Sequence, residues 1–410
     1  MFESDTVWEL NVSQNIRFGI GSIKELPSLF KRYNASTTII ITDPGVEKAG
    51  IINDIEGEIP GNIDYHVYSK VKPEPTLSVY EGSINFAKEV DPDLIIGVGG
   101  GSSMDVAKTT GIVYEYGGDL LKYAAPPTGD GKQIPDHGIP TICIPTTAGT
   151  GSETSPVSVI SLPDEDLKVG VTSRYQIPDT ALVDPSLMVS LPPGPTASSG
   201  MDALSHALEA YTTPSFDTKA RPSNPMERPD YGGRTLVTDK LAKTSIELVA
   251  NNLQHAVNNS RDLTARRNMA LASLLAGIAF TNAGVTANHA LAMATGSKFE
   301  IPHGTAVAIY LPAVIQFNAP VEPERFSEVA EIFGIEATNK DTIESALQAS
   351  RIVEDFAAAI NIPSGVSEFG VTDSDIPILA EKALQLERLM NGNPRRADQE
   401  DLERIIRNSL

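Results

Sequence analysis

The run DLIIGVGGGSSMDVAK, residues 93–108, decides how the first half of the chain is read. Its opening LIIGV is continuously apolar, the pattern of a strand buried on both faces. Three consecutive glycines then break the run, and SSMDVAK resumes with helix-forming residues. A buried strand, a glycine turn and a helix follow one another directly. Glycines after a strand let backbone amides approach an anion, and the helix N-terminus favours negative charge, so the turn is a phosphate candidate. It is not a G-x-G-x-x-G sequence: Gly97 and Gly99 fit, but Ser102 takes the last glycine position.

Outward from this run the pattern repeats. TTIIIT at 37–42 is a strand candidate ending at Asp43, with Pro44-Gly45 as a turn. Residues 64–69 form another short strand before the proline-punctuated KPEPT, and 77–90 has helical periodicity. TICIPTT at 141–147 repeats the apolar strand signal, and β-branched runs recur at 157–160 and 181–183. This alternation predicts an α/β domain, a parallel sheet with helices on its faces. After SLPPGP at 190–195 strand signals almost vanish, and Ala/Leu-rich runs of helical period cover 197–211, 235–259, 262–282, 323–333, 341–360 and 373–390, with a last helix near 398–408. The expected division is an α/β domain over 1–192 and an all-α domain over 193–410.

At 410 residues the chain is long enough for two domains, each with its own core. An apolar content of 41% with 29 prolines and 32 glycines is a globular balance. The formal charge of −21 argues against nucleic acid or an anionic membrane as a partner. Cys143 is the single cysteine, which excludes an internal disulfide and a cysteine-rich zinc site and suits a reducing cytoplasm. The start, MFESDTVWEL, lacks the basic region and apolar core of a signal peptide, and no apolar run approaches the length of about 18 residues that a membrane span requires. A cytoplasmic location is expected.

Three of the six histidines fall in two stretches, MDALSHALEAY at 201–211 and GVTANHALAMATGSKFEIPHG at 284–304. Asp202 and His206 are four apart in a helix-forming run and so share one helical face. His289 and His303 are fourteen apart, about 21 Å along an unbroken helix, too far to share an ion. The chain must turn between them, and Gly296 and Pro302 are the punctuation available. One carboxylate and three imidazoles form a mixed N/O set suited to Zn²⁺ or Fe²⁺, with a coordination position left for substrate. Taken alone, an Asp-x-x-x-His pair is an ordinary amphipathic helix.

DALSHALEAY, NHALAMATG and IPHG, in this order, resemble the iron-containing (group III) alcohol dehydrogenase family. FGIGSIKELP, the glycine loop, PTTAGTGSE, LVDPSLMVSLP and IPSGVSEFGVTDSDIP add landmarks in family order over most of the chain. The resemblance implies an α/β dinucleotide-binding domain followed by an all-helical metal-binding domain, assembled as a homo-oligomer, a dimer. It implies that Asp202, His206, His289 and His303 hold one catalytic divalent metal, Fe²⁺ or Zn²⁺. It assigns Gly100, Gly101 and Ser102 to the pyrophosphate, Thr146, Thr147 and Thr150 to the nicotinamide and phosphate cleft, and Lys168 and Leu187 to further cofactor-facing positions. From the residues alone, those threonines are hydroxyls that also stabilise a turn. Asp43, just past a strand end, can accept from ribose hydroxyls and repel a 2′-phosphate, or simply open the Asp-Pro-Gly turn. NAD-preferring family members carry Asp in this context, which implies NAD(H) in preference to NADP(H).

Two departures narrow the reading. Many family members carry a second His four residues after the third ligand, as a proton relay; this chain has Met293 there. The segment 213–242, TPSFDTKARPSNPMERPDYGGRTLVTDKLA, replaces a short connection. RPSNPMERPDYGG and FTNAGVTANHALA resemble the hydroxyacid–oxoacid transhydrogenase branch, which also lacks the second His and interconverts 4-hydroxybutyrate and succinic semialdehyde. The expected activity is hydride transfer between a nicotinamide cofactor and a small alcohol or aldehyde, with succinic semialdehyde reductase activity first. Arg221, Arg228 and Arg234 could meet a substrate carboxylate or be the charges of a solvated loop. A general short-chain alcohol dehydrogenase, a transhydrogenase, a dehydroquinate-synthase-like lyase and a non-catalytic metal- and nucleotide-binding relative stay open.

Overall fold

The computed structural model describes residues 7–125, 128–163, 167–219, 222–224, 227–335 and 342–410. The chain divides into two compact units. One comprises Val12–Leu191 and Ser260–Ala270; the other comprises Pro192–Asn259, Leu271–Leu410 and the start of the chain as far as Asn11. The division into 1–192 and 193–410 treats each domain as one uninterrupted segment, and packing departs from it in two places. Asn11 exchanges two hydrogen bonds with Asn282, through its amide at 2.6 Å and its carbonyl at 2.9 Å, which ties the start of the chain to the helical unit. Arg266 donates to the Leu191 carbonyl at 3.0 Å, which ties 260–270 to the α/β unit.

The strands are β1 (Asn15–Phe18), β2 (Thr37–Ile41), β3 (Asp64–Tyr68), β4 (Leu94–Gly99), β5 (Thr141–Pro145), β6 (Val157–Leu162), β7 (Leu167–Thr172) and β8 (Thr180–Val183). Six of them form one sheet in the order β1-β8-β5-β4-β2-β3, every pair parallel. The run at 157–160 is not in it: β6 pairs antiparallel with β7 as a separate hairpin. β1 escapes the sequence reading because NIRF is only half-buried and carries no apolar run. Helices α1 (Leu26–Tyr33), α2 (Pro44–Lys48), α3 (Ile51–Glu56), α4 (Leu77–Val90) and α5 (Gly101–Tyr116) belong to this unit. Successive strand residues feed opposite cores: Ile39, Ile41 and Ile95 join one cluster, while Ile40, Leu94, Ile96 and Val98 join the other. Burial on both faces is why these strands read as continuous apolar runs.

From β2 the chain proceeds to β3 on one side, and from β4 to β5 on the other. Adjacent parallel strands whose connections diverge leave a crevice at their C-terminal ends, where ligands bind in such sheets. Asp43 and the glycine loop sit at those ends.

The other unit carries α6 (Pro193–Thr212), α7 (Leu236–Asn258), the greater part of α8 (Leu263–Ala283), α9 (Ala287–Phe299), α10 (His303–Asn318), α11 (Pro323–Ile332), α12 (Thr342–Ala359), α13 (Ile376–Leu384), α14 (Glu387–Met390) and α15 (Gln399–Arg407). Among the described residues it contains no strand, only an isolated bridge between Ser215 and Arg234. The helical runs read from the sequence omit α9 and α10. Both are buried nearly all round and so lack an amphipathic stripe. The turn between them differs from expectation too. Gly296 lies inside α9, and the chain turns at Glu300, whose φ of 52° is left-handed, before Pro302. No single helix among the described residues is long and apolar enough to cross a membrane.

Candidate active site

α6 is buried along most of its length because α7 and α10 pack against it. Gly304, next to His303, makes the α10 approach possible: a Cβ there would lie 2.3 Å from the Ser198 carbonyl oxygen of α6. Ser198 lies one helical turn before Asp202, so that approach brings His303 alongside Asp202. Oδ1 of Asp202 lies 3.7 Å from Nδ1 of His206, 3.7 Å from Nε2 of His289 and 3.7 Å from Nε2 of His303. The ring of His206 stacks on Phe280 at 4.2 Å between centroids and stands 4.5 Å from the ring of His289. Asp202, His206 and His289 are buried, whereas the His303 side chain is 34% exposed.

Two atoms in this cluster are orphans. Asp202 Oδ1 and His289 Nε2 are buried without a hydrogen-bond partner. Buried polar groups are almost always satisfied, and each exception costs about 1–3 kcal/mol. Donors held about 2.1 Å from a tetrahedral ion stand roughly 3.4 Å apart, close to the observed spacing. One divalent cation satisfies both orphans at once: Asp202, His206 and His289 offer ligand atoms within 4.8 Å of one another, which suits a metal of the Fe²⁺ or Zn²⁺ type, and His303 stands beside them at Asp202. Burial pushes the Asp202 carboxyl above its ordinary range, against the charges of His303 and His289.

Behind the cluster sits a residue that the sequence reading passed over. Glu209 Oε1 lies 2.5 Å from His289 Nδ1, and Oε2 accepts from the Thr286 amide at 2.5 Å and its hydroxyl at 2.7 Å. Ser205 donates to Oε1 at 2.7 Å and itself accepts from Asn288. Burial opposes ionisation of Glu209, yet His289, Thr286 and Ser205 hold its carboxyl down at about 2. For His289, burial opposes protonation and Glu209 outweighs it, so its pKa is raised. The available signal was spacing: Asp202, His206 and Glu209 fall at i, i+4 and i+7 on one stripe of α6.

In the α/β unit Asp43, the glycine loop and the threonine loop meet at the C-terminal ends of the central strands. The Thr146 amide donates to the Gly99 carbonyl at 2.9 Å. A Cβ on Gly100 would lie 3.6 Å from Thr147, and one on Gly101 would lie 2.9 Å from Thr150, so Thr150 leaves no room for a side chain at Gly101. Gly100 caps α5, and the free amides that follow, Ser102 included, form an anion-binding helix start. Thr150 also accepts from the Ser152 amide, the turn-stabilising role. Asp43 caps α2, with Oδ1 accepting from Gly45 at 2.8 Å and Val46 at 3.1 Å, while Oδ2 accepts from Ser103 at 3.3 Å. The cap explains the Asp-Pro-Gly turn, and the second oxygen retains lone pairs beside the glycine loop. Leu187 packs in the core and Lys168 pairs with Glu74 at 2.5 Å.

Met293 is partly exposed on α9, one turn beyond His289, while its immediate neighbours are buried. Of the arginines considered for a substrate carboxylate, Arg221 lies outside the described residues. Arg228 pairs with Glu9 at 2.6 Å, and Arg234 is flanked by Asp239 at 3.8 Å and Glu322 at 3.7 Å. Their charges are met by carboxylates of their own unit.

Residues 13–185 match the family described as iron-containing alcohol dehydrogenase, and residues 232–410 match the C-terminal part of the Fe-containing alcohol dehydrogenase family. The chain is 33% identical to the mitochondrial hydroxyacid-oxoacid transhydrogenase of Xenopus tropicalis, over 100% of this chain and 91% of that protein. It is 34% identical to the NAD-dependent methanol dehydrogenase of Bacillus methanolicus, over 96% of this chain and 97% of that protein. Among solved structures, a 1,3-propanediol oxidoreductase superposes with a TM-score of 0.89 at 31% identity, covering 98% of this chain and 100% of the other.

Proposed function

Because the chain belongs to the iron-containing alcohol dehydrogenase family, we propose that it exchanges a hydride between NAD(H), in preference to NADP(H), and a small aldehyde or alcohol bearing a distal carboxylate. Succinic semialdehyde and 4-hydroxybutyrate are the first candidate pair. In the reducing direction, aldehyde, NADH and a proton give the alcohol and NAD⁺. The observation that carries the reading is the convergence of three imidazoles on one oxygen of Asp202.

Asp202, His206, His289 and His303 would hold a divalent ion, which would supply Lewis-acid polarisation of the substrate carbonyl oxygen. Phe280 and Glu209 fix the rings of His206 and His289, so the donor set is organised before substrate arrives. His303, the more exposed ligand, borders the side open to substrate. The α5 amides at Gly101 and Ser102 suit a pyrophosphate, and Asp43 suits the adenosine ribose hydroxyls while repelling a 2′-phosphate. Met293 carries no proton and lines the α9 face with a thioether instead of a relay imidazole.

The carboxylated substrate is supported by the likeness to a relative named for hydroxyacid and oxoacid substrates along the whole chain. The likeness to a methanol dehydrogenase makes an uncharged substrate the competing case. The test loads the protein with Fe²⁺ or Zn²⁺ and compares kcat/KM for succinic semialdehyde with that for butyraldehyde, using NADH and NADPH in turn. A clear preference for succinic semialdehyde is expected; a ratio near one, or the reverse, removes the carboxylate from the reading. Conversion of 4-hydroxybutyrate with a 2-oxoacid, in the absence of free nicotinamide, would identify a transhydrogenase.

A further inference from the structure

A distal carboxylate needs a cation near the ligand cluster, and Arg228 and Arg234 are already flanked by acids. We infer that Arg388, laid against the ring of Tyr231, is the residue that receives the substrate carboxylate. The inference rests on the carboxylated-aldehyde reading above and names the side chain that makes it specific.

Arg388 lies on α14, which packs against α9, the helix that carries His289. Its guanidinium carbon stands 4.6 Å from the centroid of the Tyr231 ring. That ring is buried and rests on Gly284, just before α9: a Cβ on Gly284 would lie 3.1 Å from three Tyr231 atoms, and its φ of 105° suits glycine. The backbone at Tyr231 is held as well, since its main-chain carbonyl accepts from Lys219 and the next amide, that of Gly232, donates to the Asn282 carbonyl. Arg388 therefore stands on a fixed platform at the head of the helix that presents a metal-site imidazole. Its charge reaches His289, where it opposes protonation of the ring.

The chain has 53 acidic residues against 32 basic ones, so an arginine without an acidic partner runs against the average. Arg325 pairs with Asp239 at 2.7 Å, and Arg395 donates to the Phe317 carbonyl at 2.9 Å. Among the described residues Arg388 is exposed and has neither an ion pair nor a hydrogen bond, although Glu387 is adjacent. A guanidinium held over a ring face makes no hydrogen bond to it, so its N–H donors stay available. Two parallel donors in that edge match a carboxylate bidentately.

The test uses wild-type protein, Arg388→Gln, Arg388→Lys and the exposed α12 control Arg351→Gln, each loaded with the same metal. In Arg388→Gln the ratio of kcat/KM for succinic semialdehyde to that for butyraldehyde should fall roughly ten- to hundred-fold, mainly through KM. Arg388→Lys should keep part of the preference, and Arg351→Gln should match wild type. Calorimetric titration of 4-hydroxybutyrate into cofactor-free protein should show the same loss in Kd for Arg388→Gln. If wild type prefers succinic semialdehyde and Arg388→Gln keeps that ratio and Kd, Arg388 is not the receptor, although the function stands. If wild type has no such preference, both the substrate reading and the inference fall.

Discussion

Glu209 holds His289 from the side opposite its free nitrogen: Oε1 is 2.5 Å from Nδ1, while Nε2 faces Asp202 Oδ1 at 3.7 Å. An acceptor at Nδ1 sets the tautomer that leaves Nε2 as a lone pair, and it makes the ring a stronger donor to a cation. The pair spans two helices, α6 and α9.

Glu209→Gln should therefore weaken metal binding about ten- to hundred-fold without removing any ligand. Competition with a chelator of known affinity measures this, and circular dichroism checks that the variant has folded. Wild-type affinity in a folded Glu209→Gln protein would show that the carboxylate only packs.

Asp43 performs two tasks with its two oxygens, so the choice of substitution matters. Asp43→Asn keeps an oxygen for the Gly45 and Val46 amides and removes only the charge. Its kcat/KM for NADPH relative to NADH should rise on the order of ten-fold, because a like charge a few ångströms from the 2′-phosphate is gone. A wild-type protein that prefers NADPH contradicts the assignment outright.

Glu153, in the loop after β5, is 2% exposed, and burial raises its carboxyl from an ordinary 4.5 to about 7, against its own backbone amide and the Lys108 charge. Between these values the folded chain holds a proton that the unfolded chain has released. Stability is thus lost as pH rises through this window and is level above it. Glu153→Gln removes this pH dependence, so its stability relative to wild type should improve by roughly 3 kcal/mol between pH 4 and pH 8. Urea denaturation of both proteins at the two pH values measures it; a difference independent of pH overturns it.

Much of the architecture was legible because its signals are local. LIIGV followed by three glycines, and the break at SLPPGP, describe what a few neighbouring residues can and cannot do. Strands buried on both faces announce themselves by continuous apolar runs, and Asp202 and His206 share a face through helical period alone. The runs that misled were those whose partners are remote. NIRF becomes a strand only because β8 offers it an edge, and VSVISL leaves the parallel sheet because LKVGVT pairs with it. The all-round burial that hides α9 and α10 is likewise imposed by their neighbours.

By itself, then, the sequence determined which residue types were available for chemistry: one carboxylate and three imidazoles for a cation, glycines before a helix for a phosphate, and a methionine where a proton carrier could stand. Tertiary structure decided which of them meet. It set His289 and His303 at equal distances from one oxygen of Asp202 and placed Glu209 behind the former. It turned Arg228 and Arg234 onto acids, and laid Arg388 on a tyrosine 157 positions earlier in the chain. Spacing along a helix constrains only the first few neighbours, whereas contacts between helices depend on how whole faces pack, as at Gly304 against Ser198, and no local pattern encodes that packing.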